Sequence, residues 1–357
     1  MKKYFFYSTL CLFLSFSLLS ASPQTVSELW KNYDARAEPL NTEIIKSWEK
    51  DKGAFKLVRY LVGNLKGSNK SAAPKMAAFY GSPKNGKNLP AIVHIHGGGQ
   101  RASLSRVEYW VSLGYAAISI NWGGYDIDQP NTPNTDWDGL AAGFLGDKTT
   151  KHHNEIAPSL NTLYKEPHPM NSSWMLIAMA ARRGLTFLEN QPQVDKDHLG
   201  VEGHSMGGRS TSYVAIDSRI KAASPSVGGS GYLYENIWGL PGSARRMTEN
   251  VTQYKNTISS QNYWRLVTCP TLFLGATNDF NSPTEFVSRA LNQIPQTTNW
   301  GLALAPHLNH RFTSTTAAAR TFWMESHLKE NFHFPKTSKA TMVLTTDNKI
   351  PLFKVWP

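Results

Sequence analysis

Along the chain, stretches apolar on every position alternate with stretches apolar on one face, and the first such stretch stands apart. Leu10 to Leu19 is preceded by Lys2 and Lys3 and followed by the small residues Ser20, Ala21 and Ser22. A positive start, a short apolar core and a small-residue cleavage zone make a secretory signal peptide, residues 1–22, cut near Ala21. The stretch is short for a membrane span and no stop-transfer pattern follows, which disfavours an anchor. Segment 25–52 looks helical in parts and breaks at Pro39, and residues 23–75 read as an N-terminal extension with a helix and a first strand. The runs Phe55 to Val62 and Lys75 to Gly81 are rich in β-branched and aromatic residues and flank a polar turn, the pattern of an antiparallel hairpin.

From there the pattern changes. Ala91 to Ile95, Tyr115 to Trp122, Leu199 to Glu202, the run RIKAASPSVGG, Thr271 to Gly275 and Gly301 to Ala305 are strand-like, several of them apolar on both faces. Helical stretches separate most of them, at Val107 to Leu113, Trp174 to Glu189, Arg209 to Ile216, Pro283 to Leu291 and Thr315 to Glu330. This alternation predicts an α/β domain over residues 76–333, a doubly wound, mostly parallel sheet of about eight strands with helices on both faces. Residues 123–173 are rich in Gly, Pro, Asn and Asp and lack either period. A loop of that length in a compact domain implies a task, and it reads as a cap or substrate loop. The tail, 334–357, alternates like a strand pair with a turn at Thr346 to Asn348.

Composition adds two limits. Removing the signal leaves Cys269 as the only cysteine, so no intramolecular disulfide is possible and the fold rests on its core. Cys269 sits before Pro270 and an apolar run, as a buried structural thiol does. The formal charge is +11, or +9 without Lys2 and Lys3, and it is spread along the chain instead of gathered in runs. That gives nucleic-acid binding little support; a solvated basic surface or weak attraction to anionic polysaccharide both fit.

The chemistry lies at the strand ends. LGVEGHSMGG puts Ser205 between Gly203 and Gly207, after a strand and before a helix, the setting in which a serine on a sharp turn projects its hydroxyl above the sheet. A hydroxyl needs a base and the base needs an orienting acid. The turn after Thr271 to Gly275 presents Asp279, and the turn after the last strand offers His307 and His310. His310 lies deeper in the loop, with room to turn back towards Ser205; His307 is the alternative. His96-Gly97-Gly98-Gly99 follows the strand Ala91 to Ile95, where glycines let backbone N–H groups approach an oxyanion, and the Met206 amide supplies a second donor. Glu202 reads as a hydrogen-bonding group behind the nucleophile, with direct substrate contact as the other reading. Trp122, Trp137, Tyr125 and Tyr232 follow strand ends or sit in the loop and are placed either to stack on sugar rings or to fill core; Trp122 and Tyr232 are the substrate-binding candidates. His152, His153 and Glu155 lack metal-ligand spacing, and no metal or organic cofactor is implied.

With PAIVHIHGGG, GYAAISINWGG, GVEGHSMGG, RIKAASPSVGG and GATNDFNSP in that order, residues 75–333 resemble the dienelactone-hydrolase and acetylxylan-esterase branch of the α/β-hydrolases. The resemblance implies hydrolysis of small acyl esters, acetyl groups on polysaccharides among them, with Ser205, Asp279 and His310 as triad and Gly98 and Met206 as oxyanion donors. It leaves the 123–173 loop unmatched. The expected protein is a secreted or periplasmic serine esterase acting on an esterified carbohydrate or small ester, with no nucleic-acid partner and no stable membrane insertion. Two rivals are a prolyl-oligopeptidase-like serine peptidase, which the short N-terminal segment disfavours, and a non-catalytic carbohydrate-binding protein on a hydrolase scaffold.

Overall fold

The computed structural model describes residues 22–142, 155–230, 250–335, 341–344 and 351–354. β1 (Glu43–Lys50) and β2 (Gly53–Leu61) form a hairpin turned at Asp51, β3 (Leu65–Lys66) and β4 (Ser71–Ala72) make a small ladder of their own, and β5 (Lys75–Pro83) pairs back on β2. Then follow β6 (Leu89–Ile95), β7 (Ala116–Ile120), β8 (Val194–His204), β9 (Ile220–Ser226), β10 (Thr271–Ala276) and β11 (Trp300–Ala305). Nine of these join in the order β1-β2-β5-β7-β6-β8-β9-β10-β11. The pairings up to β7 are antiparallel and the rest parallel. The sheet is therefore mixed but mostly parallel, with one strand more than the sequence pattern suggested.

The helices are α1 (Val26–Trp30), α2 (Leu104–Ser112), α3 (Ser173–Glu189), α4 (Met206–Ala215), α5 (Val251–Ile258), α6 (Gln261–Trp264), α7 (Thr284–Leu291) and α8 (Ser314–Met324). Side chains alternate between two cores, as the period of a strand requires. Ala91, Val93 and Ile95 of β6 and Ala116, Ile118 and Ile120 of β7 face α3, α4 and α7. Ile92 and Ala117 face α2 and α8, against Trp110 and Trp323. Strands apolar on every position result from this double coverage.

Residues 43–50 are a strand and not a helix. Glu, Ile, Lys and Trp suit either state, and the cross-strand partner decides: Trp48 stacks on Phe55 with ring centroids 5.9 Å apart, and Ile45 and Trp48 pack on the α2 side of the sheet. The N-terminal segment thus contributes two full strands to the sheet and does not merely pack against it. Its first turns are held from α3 by Arg183, which donates to the carbonyls of Ala35, Glu38, Pro39 and Leu61. The described parts of the 123–173 loop bury Trp137, Leu140, Ile156 and Leu163. In the tail, β12 (Thr341–Leu344) pairs antiparallel with β13 (Pro351–Lys354). Cys269 is buried, which pushes its thiol up to about 12.

Candidate active site

Ser205 sits between the end of β8 and the start of α4 with φ 57° and ψ −114°, a conformation that L-residues avoid. The packing that enforces it is visible in the flanking glycines. A Cβ on Gly203 would overlap the Gly207 carbonyl, and one on Gly207 would overlap the Ile95 carbonyl oxygen of the neighbouring strand. The Ser205 amide is tied to the Ser226 carbonyl at 2.9 Å, and its side chain makes no capping bond to α4. The hydroxyl is thus left for other partners, at the amino end of a helix whose dipole favours negative charge.

Its partner is His310. Nε2 of His310 lies 2.7 Å from Ser205 Oγ, and Nδ1 lies 3.0 and 3.1 Å from the two oxygens of Asp279. A carboxylate cannot donate, so the network assigns the proton to Nδ1 and leaves the Nε2 lone pair facing the serine hydroxyl. Asp279 has a fully buried side chain, and Oδ1 also accepts the amides of Asn281 at 2.6 Å and Ser282 at 2.8 Å, so it is aimed by its own turn. The Asp279 and His310 turns are laced together: His307 N–H donates to Thr277 Oγ1 and Asn309 N–H to Asn278 Oδ1. His307 itself is exposed, so the structure brings His310 to Ser205 and leaves His307 outside.

The glycine loop after β6 lies beside the serine: a Cβ on Gly97 would stand 3.3 Å from Ser205 Cβ. The Gly97 amide is already given to Gln100 Oε1 at 3.0 Å. Of the expected donors, Gly98 follows in the half-exposed turn and Met206 opens α4. The loop is fixed from below by His96, whose Nδ1 donates to the Gly97 carbonyl at 2.7 Å and whose ring stacks on Trp122 at 4.8 Å. Burial lowers His96 to about 4 and keeps it neutral.

The same architecture is found in solved structures. The acetyl xylan esterase from Paenibacillus sp. R4 is 18% identical over 86% of this chain and 96% of its own, with a TM-score of 0.62. Acetyl xylan esterase 1 from Thermoanaerobacterium sp. JW/SL YS485 is 16% identical over 85% and 95%, with a TM-score of 0.57. A glucuronoyl esterase from Solibacter usitatus is 15% identical over 87% and 96%, with a TM-score of 0.50. No protein-family model and no curated protein matches the sequence. The fold is that of the α/β-hydrolases.

Within this α/β-hydrolase fold one sequence expectation changes. Trp122 is fully buried; it donates to the His96 carbonyl at 2.9 Å and offers no face to a sugar. Its indole is held inward by the stack on His96 and by Trp137, which donates to the Trp122 carbonyl at 3.2 Å. Tyr232, His152 and His153 lie outside the described residues. Glu202 has no contact with solvent and is held by Arg106, Arg320 and Trp110. Two residues not anticipated as neighbours of the site are His204 and Phe280, whose ring centroids lie 5.7 and 5.0 Å from that of His310. His204 donates from Nδ1 to Ser226 Oγ, whose own proton goes to the Gly203 carbonyl; burial, with His310 nearby, lowers it to about 4. Among the described residues no group of three or more His, Cys, Asp or Glu is placed to hold a metal ion, and no helix is long and apolar enough to cross a membrane.

Proposed function

We propose that the chain is a serine carboxylic-ester hydrolase that removes acetyl or other small acyl groups from carbohydrate. The observation that carries the reading is the 2.7 Å approach of His310 Nε2 to Ser205 Oγ with Nδ1 on the buried Asp279. In that arrangement His310 takes the serine proton as Oγ attacks the ester carbonyl, and Asp279 orients the imidazole and stabilises the imidazolium that forms. The developing oxyanion rests on the amides of Gly98 and Met206. His310 then returns its proton to the leaving alkoxide, the alcohol departs, and water cleaves the acyl-enzyme by the same route. The carbohydrate part of the reading draws on the likeness to the acetyl xylan and glucuronoyl esterases. The expected N-terminal signal places the reaction outside the cytoplasm, and the 123–173 loop is the expected substrate cover.

Ser205→Ala is expected to abolish p-nitrophenol release from p-nitrophenyl acetate, and a fluorophosphonate probe should label Ser205 of the intact protein. An unimpaired variant would overturn the nucleophile assignment, and an unlabelled serine with retained polysaccharide binding would favour a binding protein. Acetate and methanol release from esterified xylans, mannans and uronates identifies the ester.

A further inference from the structure

We infer that Phe280 is the platform on which the alcohol half of the ester lies, and that this half is a pyranose ring. The inference rests on Ser205 and His310 acting as proposed above.

The turn that aims Asp279 inward throws its neighbour outward. The Asp279 side chain is wholly buried, whereas Phe280 is 61% exposed and belongs to neither of the two large cores. Single exposed apolar side chains are common on protein surfaces. What distinguishes Phe280 is its place, with a ring centroid 5.0 Å from that of His310 and an interplanar angle of 45°. The laced His310 turn adds a second apolar side chain, Leu308, also exposed.

The proton path says which half of the substrate meets this surface. The proton that His310 takes from Ser205 must be given to the leaving oxygen, so that oxygen has to reach Nε2. The acyl carbon is bonded to Oγ and its oxygen points to the Gly98 and Met206 amides. Whatever is attached to the leaving oxygen therefore extends over the His310 turn and onto the Phe280 ring. A methyl ester would leave that platform bare. A pyranose presents one face of C–H groups to the ring and a rim of hydroxyls to its surroundings, where the same two turns carry the polar side chains Asn278, Asn281 and Asn309. A benzylic alcohol has no such rim to use them.

The test compares three acetates, of a methyl xylopyranoside, of benzyl alcohol and of methanol, hydrolysed by the wild type, Phe280→Ala and Phe280→Trp. The readout is the ratio of kcat/KM between substrates, so a general loss of activity cancels. Phe280→Ala should lower the preference for the xyloside ester over methyl acetate about tenfold, mainly through KM, and Phe280→Trp should restore it. An unchanged ratio overturns the platform, and a loss confined to benzyl acetate overturns the pyranose. Saturation-transfer NMR of xylotetraose on the Ser205→Ala protein, with and without Phe280→Ala, gives a readout free of catalysis. Binding that depends on Phe280 in a wild type that releases no acetate would uphold the platform while refuting the esterase reading, and binding indifferent to Phe280 would refute the platform.

Discussion

Arg320, on the helix that follows the His310 turn, closes a 2.7 Å ion pair with Glu202, the last side chain before Gly203 on β8. The same carboxylate receives Arg106 from α2 through two bonds of 2.6 and 2.8 Å and the Trp110 indole at 2.7 Å. One buried acid thus ties both helices of this face to the strand that carries Ser205. Arg320 also lies over the Phe312 ring, which packs edge-on against His204 beside His310, so the anchor extends up to His310.

Glu202→Gln should destabilise the protein by about 3 to 5 kcal/mol, because it leaves two arginines without their buried counter-charge. Burial alone would raise the Glu202 carboxyl, but Arg106 and Arg320 hold it well below the usual range. Its contribution is therefore present above the unfolded value, about pH 4.3, and lost as the pH falls below it. Urea unfolding at pH 7 measures the difference, and a variant as stable as the parent would mean that the arginines find other partners.

His310→Ala should lower kcat/KM on p-nitrophenyl acetate about 10⁴-fold, the loss expected when a nucleophile is left without its base. His307→Asn should stay within about twofold. Asparagine is the right control, since His307 has φ 53° and Asn accepts that conformation where Ala does not. A large loss in His307→Asn together with a mild one in His310→Ala would reverse the assignment.

The residues that were legible in the sequence are those whose roles follow from local geometry. Gly203 and Gly207 mark Ser205 because a strand-to-helix turn has no room for a Cβ at either place, and Asp279 precedes residues whose amides it can reach by itself. The order of strand ends brought Asp279 and His310 to Ser205, but distant packing partners were not legible. Nothing near Glu202 points to Arg106 or Arg320. Trp122 stands at a strand end like a surface aromatic, and its contacts with His96 at the end of the adjacent strand and with Trp137 turn it inward. Residues 43–50 have a composition that β2 alone resolves. Phe280 is one residue from a predicted site residue, and its signal, an apolar side chain beside an inward-aimed acid, acquires meaning once the His310 turn is laced to its own.

Gln100→Ala should lower kcat about tenfold with little change in KM. Gln100 Oε1 accepts the Gly97 amide, which shapes the turn presenting Gly98. Without it the loop keeps its His96 and Trp122 support but loses the local brace, so the amide proposed to meet the oxyanion is less well placed while ground-state binding is spared. Steady-state kinetics on p-nitrophenyl acetate separate the two parameters, and a change confined to KM would remove Gln100 from this role.

Acid should unfold the protein well above the pH at which carboxylates titrate. Burial lowers His94 to about 3 and His96, His168 and His204 to about 4, against about 6.5 in the unfolded chain. Between those values the unfolded state binds the additional protons, so stability rises with pH and falls on acidification from about pH 6.5 towards 4. Each histidine contributes a slope of up to about 1.4 kcal/mol per pH unit. Four together reach about 5 kcal/mol per unit, comparable with the whole stability of a typical domain. The unfolding temperature should therefore drop steeply between pH 6.5 and 5. His168→Asn isolates one of the four, because Asn can replace the Nδ1 acceptor that caps the Met170 amide while removing the titrating ring. Its stability curve should be shallower by about one proton over that range. A wild type that takes up fewer than about two protons on unfolding at pH 5.5 would refute the account.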